Sequence, residues 1–250
     1  SWTRTGIDTR RHRRAAHLPA AADTPRSARI ATASRRRPGP IEGADSLPTM
    51  VTYLDHAASA PMREEAIDAM LPFLRDQYAN PSGAHRFARQ ARQAVDESRD
   101  RVAAVLGCRP NDVVFTGCGT ESDNMAITGA VQRHGGVAVC SAVEHHAVLE
   151  VVEHHGGVVV GVDANGCIDL DELATRLDAI AASGQTVSIV SVMTVNNEVG
   201  SINDLGAVRR VVRRHAPVAL LHTDAVQAAS WLDLRHVTPH VDLLSLSAHK

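Results

Sequence analysis

From Val51 onward, short β-branched and aliphatic runs alternate with longer stretches in which apolar residues recur every three or four positions. This alternation predicts βα units and an α/β fold with a largely parallel sheet. The predicted strands are residues 113–116, 137–140, 158–162, 187–193, 218–222 and 242–247, and the predicted helices are 83–106, 121–134, 147–155, 169–182 and 204–215. In such sheets ligands bind beyond the carboxyl ends of the strands, so residues that follow a strand are the candidates for a site.

Residues 1–49 follow neither periodicity. They are rich in Arg, with the runs RRHRR and SRRRPGP, and hold few large apolar side chains. This composition predicts a disordered Arg-rich extension. It also resembles an organelle transit peptide, but the ordered pattern starts just after Met50, so we favour a gene start assigned too far upstream. Residues 50–250 are predicted to form one folded domain.

Composition excludes several functions for that domain. Residues 1–50 hold ten Arg against four acids, which leaves 16 basic and 24 acidic residues after them, so we expect no nucleic-acid partner. No run approaches the roughly 20 apolar residues of a membrane span. Cys108, Cys118, Cys140 and Cys167 form no CxxC pair, which fits a reducing cytoplasm. The histidines lack the spacing of zinc ligands, so we expect no metal site.

The loop after the first predicted strand carries anion-binding chemistry. It reads TGCGTES, and Gly117 and Gly119 let the backbone approach an anion while the following helix start offers unpaired N–H groups. Thr120 adds a hydroxyl. The alternative is an ordinary turn in which Thr120 caps the helix. The loop matches neither the dinucleotide nor the P-loop pattern.

Further candidate cofactor-binding residues follow the later predicted strands. His145 follows the predicted strand at residues 137–140. An imidazole there can stack on a flat cofactor or can be an ordinary surface side chain. Asp224 follows an apolar strand, and a buried carboxylate needs a cation such as a pyridinium nitrogen. The last strand runs into Ser247, His249 and Lys250, the only Lys among 26 basic residues, and an amine can form a Schiff base where Arg cannot. Together with the anion loop, these residues predict pyridoxal 5'-phosphate (PLP).

Seven segments jointly resemble the cysteine desulfurases, especially the nitrogen-fixation and iron-sulfur-cluster type. They are YLDHAASAP, NPSGAHRFARQAR, VVFTGCGTESDNMAI, VEHHAVL, VSVMTVNNEVG, LHTDAVQ and LLSLSAHK, and the resemblance covers residues 51–250. It implies the large domain of PLP fold type I, a three-layer α/β sandwich with a mainly parallel sheet. It also implies that L-cysteine is converted to L-alanine and that its sulfur passes to an enzyme cysteine as a persulfide.

The same resemblance implies a role for each site residue. Lys250 would bind the cofactor covalently, His145 would stack on the ring and assist proton transfer, and Asp224 would pair with the ring nitrogen. The other implied contacts are Gln227 with the phenolic oxygen, Gly119, Thr120, Ser247 and His249 with the phosphate, and Asn197 beside the cofactor and the substrate carboxylate. A homodimer and a sulfur-acceptor protein, such as an iron-sulfur scaffold, are implied as partners.

Some features depart from the family. The chain has TGCGT where relatives often have TSGAT or TSCGT, and SAHK where many have SGHK. None of its four cysteines matches the family's persulfide cysteine, so all four are interpreted as structural. The family continues well past this lysine, and its persulfide cysteine and substrate-binding arginine are expected beyond residue 250. The 250 residues alone are therefore expected to be inactive.

Two alternatives remain open. One is a selenocysteine lyase or another class V aminotransferase-like PLP enzyme, which would share the cofactor site but not the sulfur step. The other is a catalytically dead fragment that serves only in binding or dimerisation. The second is physically less favourable, because a sheet without its partner domain exposes apolar surface.

Overall fold

A computed structural model describes residues 52–250 of the chain. Its helices are α1 (Glu64–Arg75), α2 (Arg86–Leu106), α3 (Gly119–His134), α4 (His146–His154), α5 (Leu170–Ala182) and α6 (Leu205–His215). Its strands are β1 (Val137–Ser141), β2 (Val158–Val160), β3 (Val187–Ser191), β4 (Leu220–Asp224) and β5 (Leu243–Ser245). Short 3₁₀ turns lie at Pro110–Asp112, Ala228–Ser230, Leu234–His236 and Thr238–His240.

All five strands belong to one parallel sheet in the order β2–β1–β3–β4–β5. At its centre, Ile189 of β3 lies opposite Leu220 of β4. Parallel neighbours need crossover connections, which α-helices supply here except between β4 and β5, where the chain passes through three 3₁₀ turns. Every strand therefore ends at the same edge of the sheet. The predicted α/β class with a mainly parallel sheet is confirmed.

Alternating residues of each strand face two separate apolar layers. On β1, Ala138 and Cys140 pack with Ile127 of α3 and Val148 of α4 on one face of the sheet. Val139 points to the other face, where α5 and α6 cover the sheet. This period of two is that of a strand buried on both sides. Helices thus cover both faces, and the result is a three-layer sandwich.

The prediction of a strand at residues 113–116 was wrong. Val113 has an extended backbone, but the stretch pairs with no strand within residues 52–250. Its apolar side chains are open, with Val114 67% and Phe115 50% exposed. A β-branched run specifies a suitable backbone, but a strand also needs a neighbour for its N–H and C=O groups.

Several element boundaries differ from the predicted ones. Helix α2 begins three residues later than expected because the ring of His85 accepts a 3.2 Å hydrogen bond from the amide of Ala88 and caps it. Strand β2 ends at Val160, and Val162 forms only an isolated bridge with Ile168. Strand β4 runs two residues further than predicted and ends at Asp224 itself. Helix α1 was not predicted, and none of its side chains is buried.

Three further expectations concern the N-terminal extension, membrane spans and metal ligands. The extension at residues 1–49 lies outside the described residues. Between residues 52 and 250, no helix has the length and apolar character needed to cross a bilayer. Within the same range, no three His, Cys, Asp or Glu side chains come together as metal ligands would.

Candidate functional site

A cavity of about 520 Å³ opens at the carboxyl ends of the strands. All nine residues that the sequence singled out for a cofactor line it, although they come from loops far apart in the chain. They are Gly119, Thr120, His145, Asn197, Asp224, Gln227, Ser247, His249 and Lys250. The parallel sheet explains most of this convergence, because its strands deliver their following loops to the same edge, whereas Gly119 and Thr120 arrive with the start of helix α3.

One wall of the cavity is the start of helix α3. Gly119 and Thr120 form its first turn, and the first amides of a helix have no carbonyl partner within it. A side chain at position 119 would crowd the site, since a Cβ there would lie 3.3 Å from Val226. Glu121 accepts a hydrogen bond of 2.5 Å from the amide of Gly117 and so orders the loop. The wall is a suitable binding place for an anion.

His145 is fixed at the start of helix α4. Its Nδ1 accepts a 3.1 Å hydrogen bond from the amide of Ala147, so the proton of the neutral ring belongs on Nε2. The preceding residue, Glu144, is fully buried and accepts a 2.7 Å hydrogen bond from the amide of Met193. This bond ties the loop of His145 to the end of β3. The imidazole therefore has a defined position and remains exposed to the cavity.

Asp224 ends strand β4 and is 5% exposed. Its Oδ1 accepts a 2.8 Å hydrogen bond from the amide of Val226. Burial raises the pKa of Asp224, and the nearby charges of His145 and Lys250 oppose that rise. No basic side chain within residues 52–250 lies within 4.0 Å of it in an ion pair. The cavity thus contains a buried carboxylate that lacks a close cationic partner.

Lys250 and Gln227 share one backbone acceptor. The Nζ of Lys250 and the Nε2 of Gln227 each donate a 2.7 Å hydrogen bond to the carbonyl oxygen of Ala57. The carbonyl of His249 accepts a further bond of 3.1 Å from the amide of Ala60. The segment around Ala57 therefore closes one side of the cavity and holds the lysine amine in place.

Asn196 orders the loop that carries Asn197. Its Oδ1 accepts hydrogen bonds from the amides of Glu198 at 2.8 Å and Val199 at 2.9 Å, and its Nδ2 donates to the carbonyl of Val143 at 2.9 Å. The amide-rich turn is thus attached to the loop of His145. Asn197 is half-buried on the cavity wall.

The sequence did not identify every residue of the cavity wall. Those it missed are Asp55, Ala57, Ala58, Cys118, Asp123, Met193, Glu198 and Val226. Of these, Cys118 differs from its interpretation as structural, because it is exposed and faces the cavity. The segment YLDHAASAP, which resembles the cysteine desulfurases, pointed to residues 55–58. It did not indicate that the backbone carbonyl of Ala57 accepts hydrogen bonds in the site.

The groups around the cavity fit pyridoxal phosphate. Its ring nitrogen, when protonated, supplies the cation that buried Asp224 lacks. Its phosphate suits the helix start at Gly119, and its aldehyde needs an amine, which Lys250 offers in the same cavity. Fold and site together define a class, the large domain of a PLP enzyme of fold type I.

Comparison with known proteins gives the family. The family described as "Aminotransferase class-V" matches residues 52–250, and the chain belongs to it. Among curated relatives, "Cysteine desulfurase IscS" of Dictyoglomus turgidum is 39% identical over 208 residues, which are 79% of this chain and 50% of the relative. "Putative cysteine desulfurase IscS 1" of Bacillus subtilis is 38% identical, over 79% of this chain and 52% of the relative. The chain therefore spans about half the length of these relatives.

Solved structures agree with that assignment. A "NIFS-LIKE PROTEIN" is 32% identical with a TM-score of 0.71, over 78% of this chain and 54% of the other. "SspA in complex with cysteine" is 32% identical with a TM-score of 0.70, over 80% and 57%. The similarity to cysteine desulfurases that the motifs indicated is confirmed, and so is the fold.

Proposed function

We propose that this chain forms the cofactor-binding part of a PLP-dependent cysteine desulfurase. Such an enzyme converts L-cysteine to L-alanine and transfers the sulfur to an enzyme thiol as a persulfide. The observation that carries the proposal is that Asp224 and Lys250 line one cavity with the first turn of helix α3, whose amides suit an anion. The relatives named as cysteine desulfurases and the neighbour solved with cysteine support the substrate.

Each end of the cavity has a proposed task. At the helix end, the amides of Gly119 and Thr120, with Ser247 and His249, would hold the phosphate. At the end of β4, the carboxylate of Asp224 would hold the proton of the ring nitrogen. Gln227 would contact the phenolic oxygen, and Asn197 would lie beside the substrate carboxylate. When bound, the cofactor withdraws electrons from the substrate's Cα and labilises its substituents.

Lys250 would be the group that binds the cofactor and moves a proton. Its amine is held by the carbonyl oxygen of Ala57, which accepts a hydrogen bond from the amine but does not remove its proton. With the cofactor bound, the Nζ would accept or return a proton at the reacting carbon of the substrate. Arg at this position would keep the charge but lose both capacities.

His145 would face the ring and serve as a second proton-transfer group. Because its Nδ1 accepts from the Ala147 amide, the exchangeable proton of the neutral ring is on Nε2. A fixed tautomer gives a defined donor, which is what general acid catalysis needs.

The sulfur-accepting thiol is not assigned to any described cysteine. Burial raises the pKa of Cys140 to about 12, which prevents thiolate formation at neutral pH. Cys108 and Cys167 are not part of the cavity wall, and Cys118 adjoins Gly119 at the proposed phosphate end. We therefore propose that this cysteine lies in the part of the protein outside these 250 residues.

The division at residue 50, the cytoplasmic location, the homodimer and the sulfur-acceptor protein also stay predictions.

The deciding experiment measures alanine and sulfide formed by the full-length protein from L-cysteine and a reducing thiol. We expect turnover that Lys250→Ala lowers by about 10²-fold or more, because the lysine carries both attachment and proton transfer. The matched control is Arg176→Ala, which removes an exposed ion pair on α5 outside the cavity.

Other outcomes separate the alternatives. Turnover of selenocysteine but not of cysteine would identify a selenocysteine lyase, and turnover of an amino-acid and keto-acid pair would identify an aminotransferase. A soluble protein that takes up no PLP would support a binding or dimerisation role and would overturn the proposal.

A further inference from the structure

A second buried carboxyl lies beside Asp224. Asp123, on the first turns of α3, lines the cavity and is 1% exposed. Its Oδ1 is buried and has no hydrogen-bond partner among the described residues. The nearest basic atom is the Nε2 of His222, at 3.6 Å. A buried carboxylate oxygen left in this state is costly, and a proton on it removes that cost.

The histidine opposite Asp123 cannot readily supply a positive charge. His222 is fully buried between two serines, with Nδ1 2.8 Å from the Oγ of Ser191 and Nε2 2.9 Å from the Oγ of Ser245. Burial lowers the pKa of His222 to about 4, so its ring is neutral near pH 7. A proton on Asp123 would face the Nε2 of this neutral ring.

Asp123 and Asp224 differ in the charges around them. Burial, and then the charge of Asp224, raise the pKa of Asp123 to about 7, while Ser245 opposes this rise. Asp224 instead has the favourable charges of His145 and Lys250. Two carboxylates in one buried site cannot both ionise cheaply, so the one with fewer cationic neighbours takes the proton.

The remaining elements that pack on α3 do not change this balance. Strands β3 and β5 contribute the neutral hydroxyls of Ser191 and Ser245 at this point. Beyond β1, Glu144 is fully buried, and its pKa is raised well above its ordinary value, mainly by burial. On α4, the first ionisable side chains, His146 and Glu150, are exposed and lie 3.9 Å from each other.

We propose that Asp123 is a positioning residue that stays protonated against His222, so that Asp224 is the only anion at the ring-nitrogen end of the cavity. This inference rests on the proposed PLP function. A second negative charge there would repel the carboxylate of Asp224 and would cost a further buried charge. A neutral Asp123 keeps the ring proton at Asp224.

The test compares Asp123→Asn with Asp224→Asn in the full-length protein. Asn has the shape of a protonated Asp and cannot ionise. We expect Asp123→Asn to bind PLP within about threefold of the wild type and to keep the pH profile of the bound cofactor's absorbance. Asp224→Asn should lose at least about tenfold in affinity, as expected when a charged hydrogen bond is removed. Equal losses in the two variants would overturn the inference.

Infrared spectroscopy tests the proton directly. At pH 6 the wild type should show protonated-carboxyl absorption from both buried acids, because the pKa of Glu144 is raised as well. Asp123→Asn should remove one component of this absorption, and the control Glu144→Gln should remove a different one. Absorption that is unchanged in Asp123→Asn would overturn the inference. The infrared comparison also works on ligand-free protein. Failure of the wild type to bind PLP would therefore overturn the proposed function, while the protonation of Asp123 would still be tested.

Discussion

The Nζ of Lys250 donates a 2.7 Å hydrogen bond to the carbonyl oxygen of Ala57, a residue 193 positions earlier in the chain. The amide of Ala60 bonds to the carbonyl of His249 at 3.1 Å and keeps the two segments together. The lysine amine is thus positioned by a backbone carbonyl and lines the same cavity as Asp224. Pre-positioning of this kind reduces the entropy lost when the amine reacts.

The first prediction concerns the amine itself. Lys250→Ala and Lys250→Arg should both abolish the visible absorbance of lysine-bound PLP in the purified full-length protein, because neither side chain can form the covalent link. Gln227→Leu is the matched control, since it removes the other donor to Ala57 but leaves the lysine. It should weaken PLP binding and keep the absorbance. An unchanged spectrum in Lys250→Arg would refute the lysine assignment.

The second prediction concerns Asn196, which is 5% exposed and makes three hydrogen bonds to backbone groups. Asn196→Ala should lower the free energy of unfolding by about 2–3 kcal/mol, because partly buried amides and a carbonyl lose their partner. It should also weaken PLP binding by displacing Asn197. Denaturant unfolding and PLP titration measure the two effects.

The control for Asn196 is Asn165→Ala, in an exposed turn where the side-chain amide makes one contact of 3.4 Å with Asp163. This change should stay within about 0.5 kcal/mol of the wild type. A comparable loss in both variants would mean that the contacts of Asn196 are not what stabilises the loop.

The third prediction concerns Cys118, which is exposed at the helix start where the phosphate is proposed to bind. Alkylation of the ligand-free protein should lower PLP affinity by at least about tenfold, because added bulk next to Gly119 obstructs the anion site. Bound PLP should in turn slow the alkylation, which mass spectrometry can follow. Cys118→Ser should remove the sensitivity.

Cys167 is the comparison thiol for this experiment. It is half-buried, donates to the carbonyl of Ile202 at 3.5 Å, and is not part of the cavity wall. Its alkylation should proceed at the same rate with and without PLP. If Cys118→Ser also abolished desulfurase turnover, the proposal that the sulfur acceptor lies outside these 250 residues would be wrong.

Strand-end residues were predictable because their signal is local. Asp224 directly follows an apolar strand, and Lys250 ends another, so the parallel arrangement alone brings them to one edge. The role of Ala57 was not predictable, since a carbonyl oxygen has no residue signature and its partners are 170 and 193 positions away.

Asp123 and the stretch at 113–116 show two other limits. An acidic residue near a helix start is usually a solvated one, but Asp123 is buried, with His222 of the distant strand β4 lying 3.6 Å from it. The run of apolar residues around Val114 and Phe115 has the composition of a strand, but composition does not specify a neighbouring strand. Both errors arise where distant contacts decide the outcome.

The last prediction is the pH dependence of stability that Asp123 produces in the ligand-free protein. Its pKa rises from an ordinary value of 3.8 to about 7, mainly through burial. Between these values the folded form holds a proton that the unfolded form has lost, so stability falls as pH rises and levels off above about pH 7. Asp123→Asn has no such proton. The unfolding free energy of Asp123→Asn minus that of the wild type should therefore increase by about 2–3 kcal/mol from pH 5 to pH 8.

Two comparisons isolate this effect. His222, whose pKa burial lowers to about 4, gives the opposite slope below its ordinary value of 6.5, but it is present in both proteins and cancels in the difference. In Asp163→Asn the lost carboxyl had a pKa below its ordinary value, because the amide of Cys167 donates to it. Asp163 is thus ionised in both folded and unfolded chains from pH 5 to 8, and that variant should differ from the wild type by a constant amount. A constant difference for Asp123→Asn as well would show that Asp123 is ionised in the folded protein, and Asp224 would then not be the only anion at its end of the cavity.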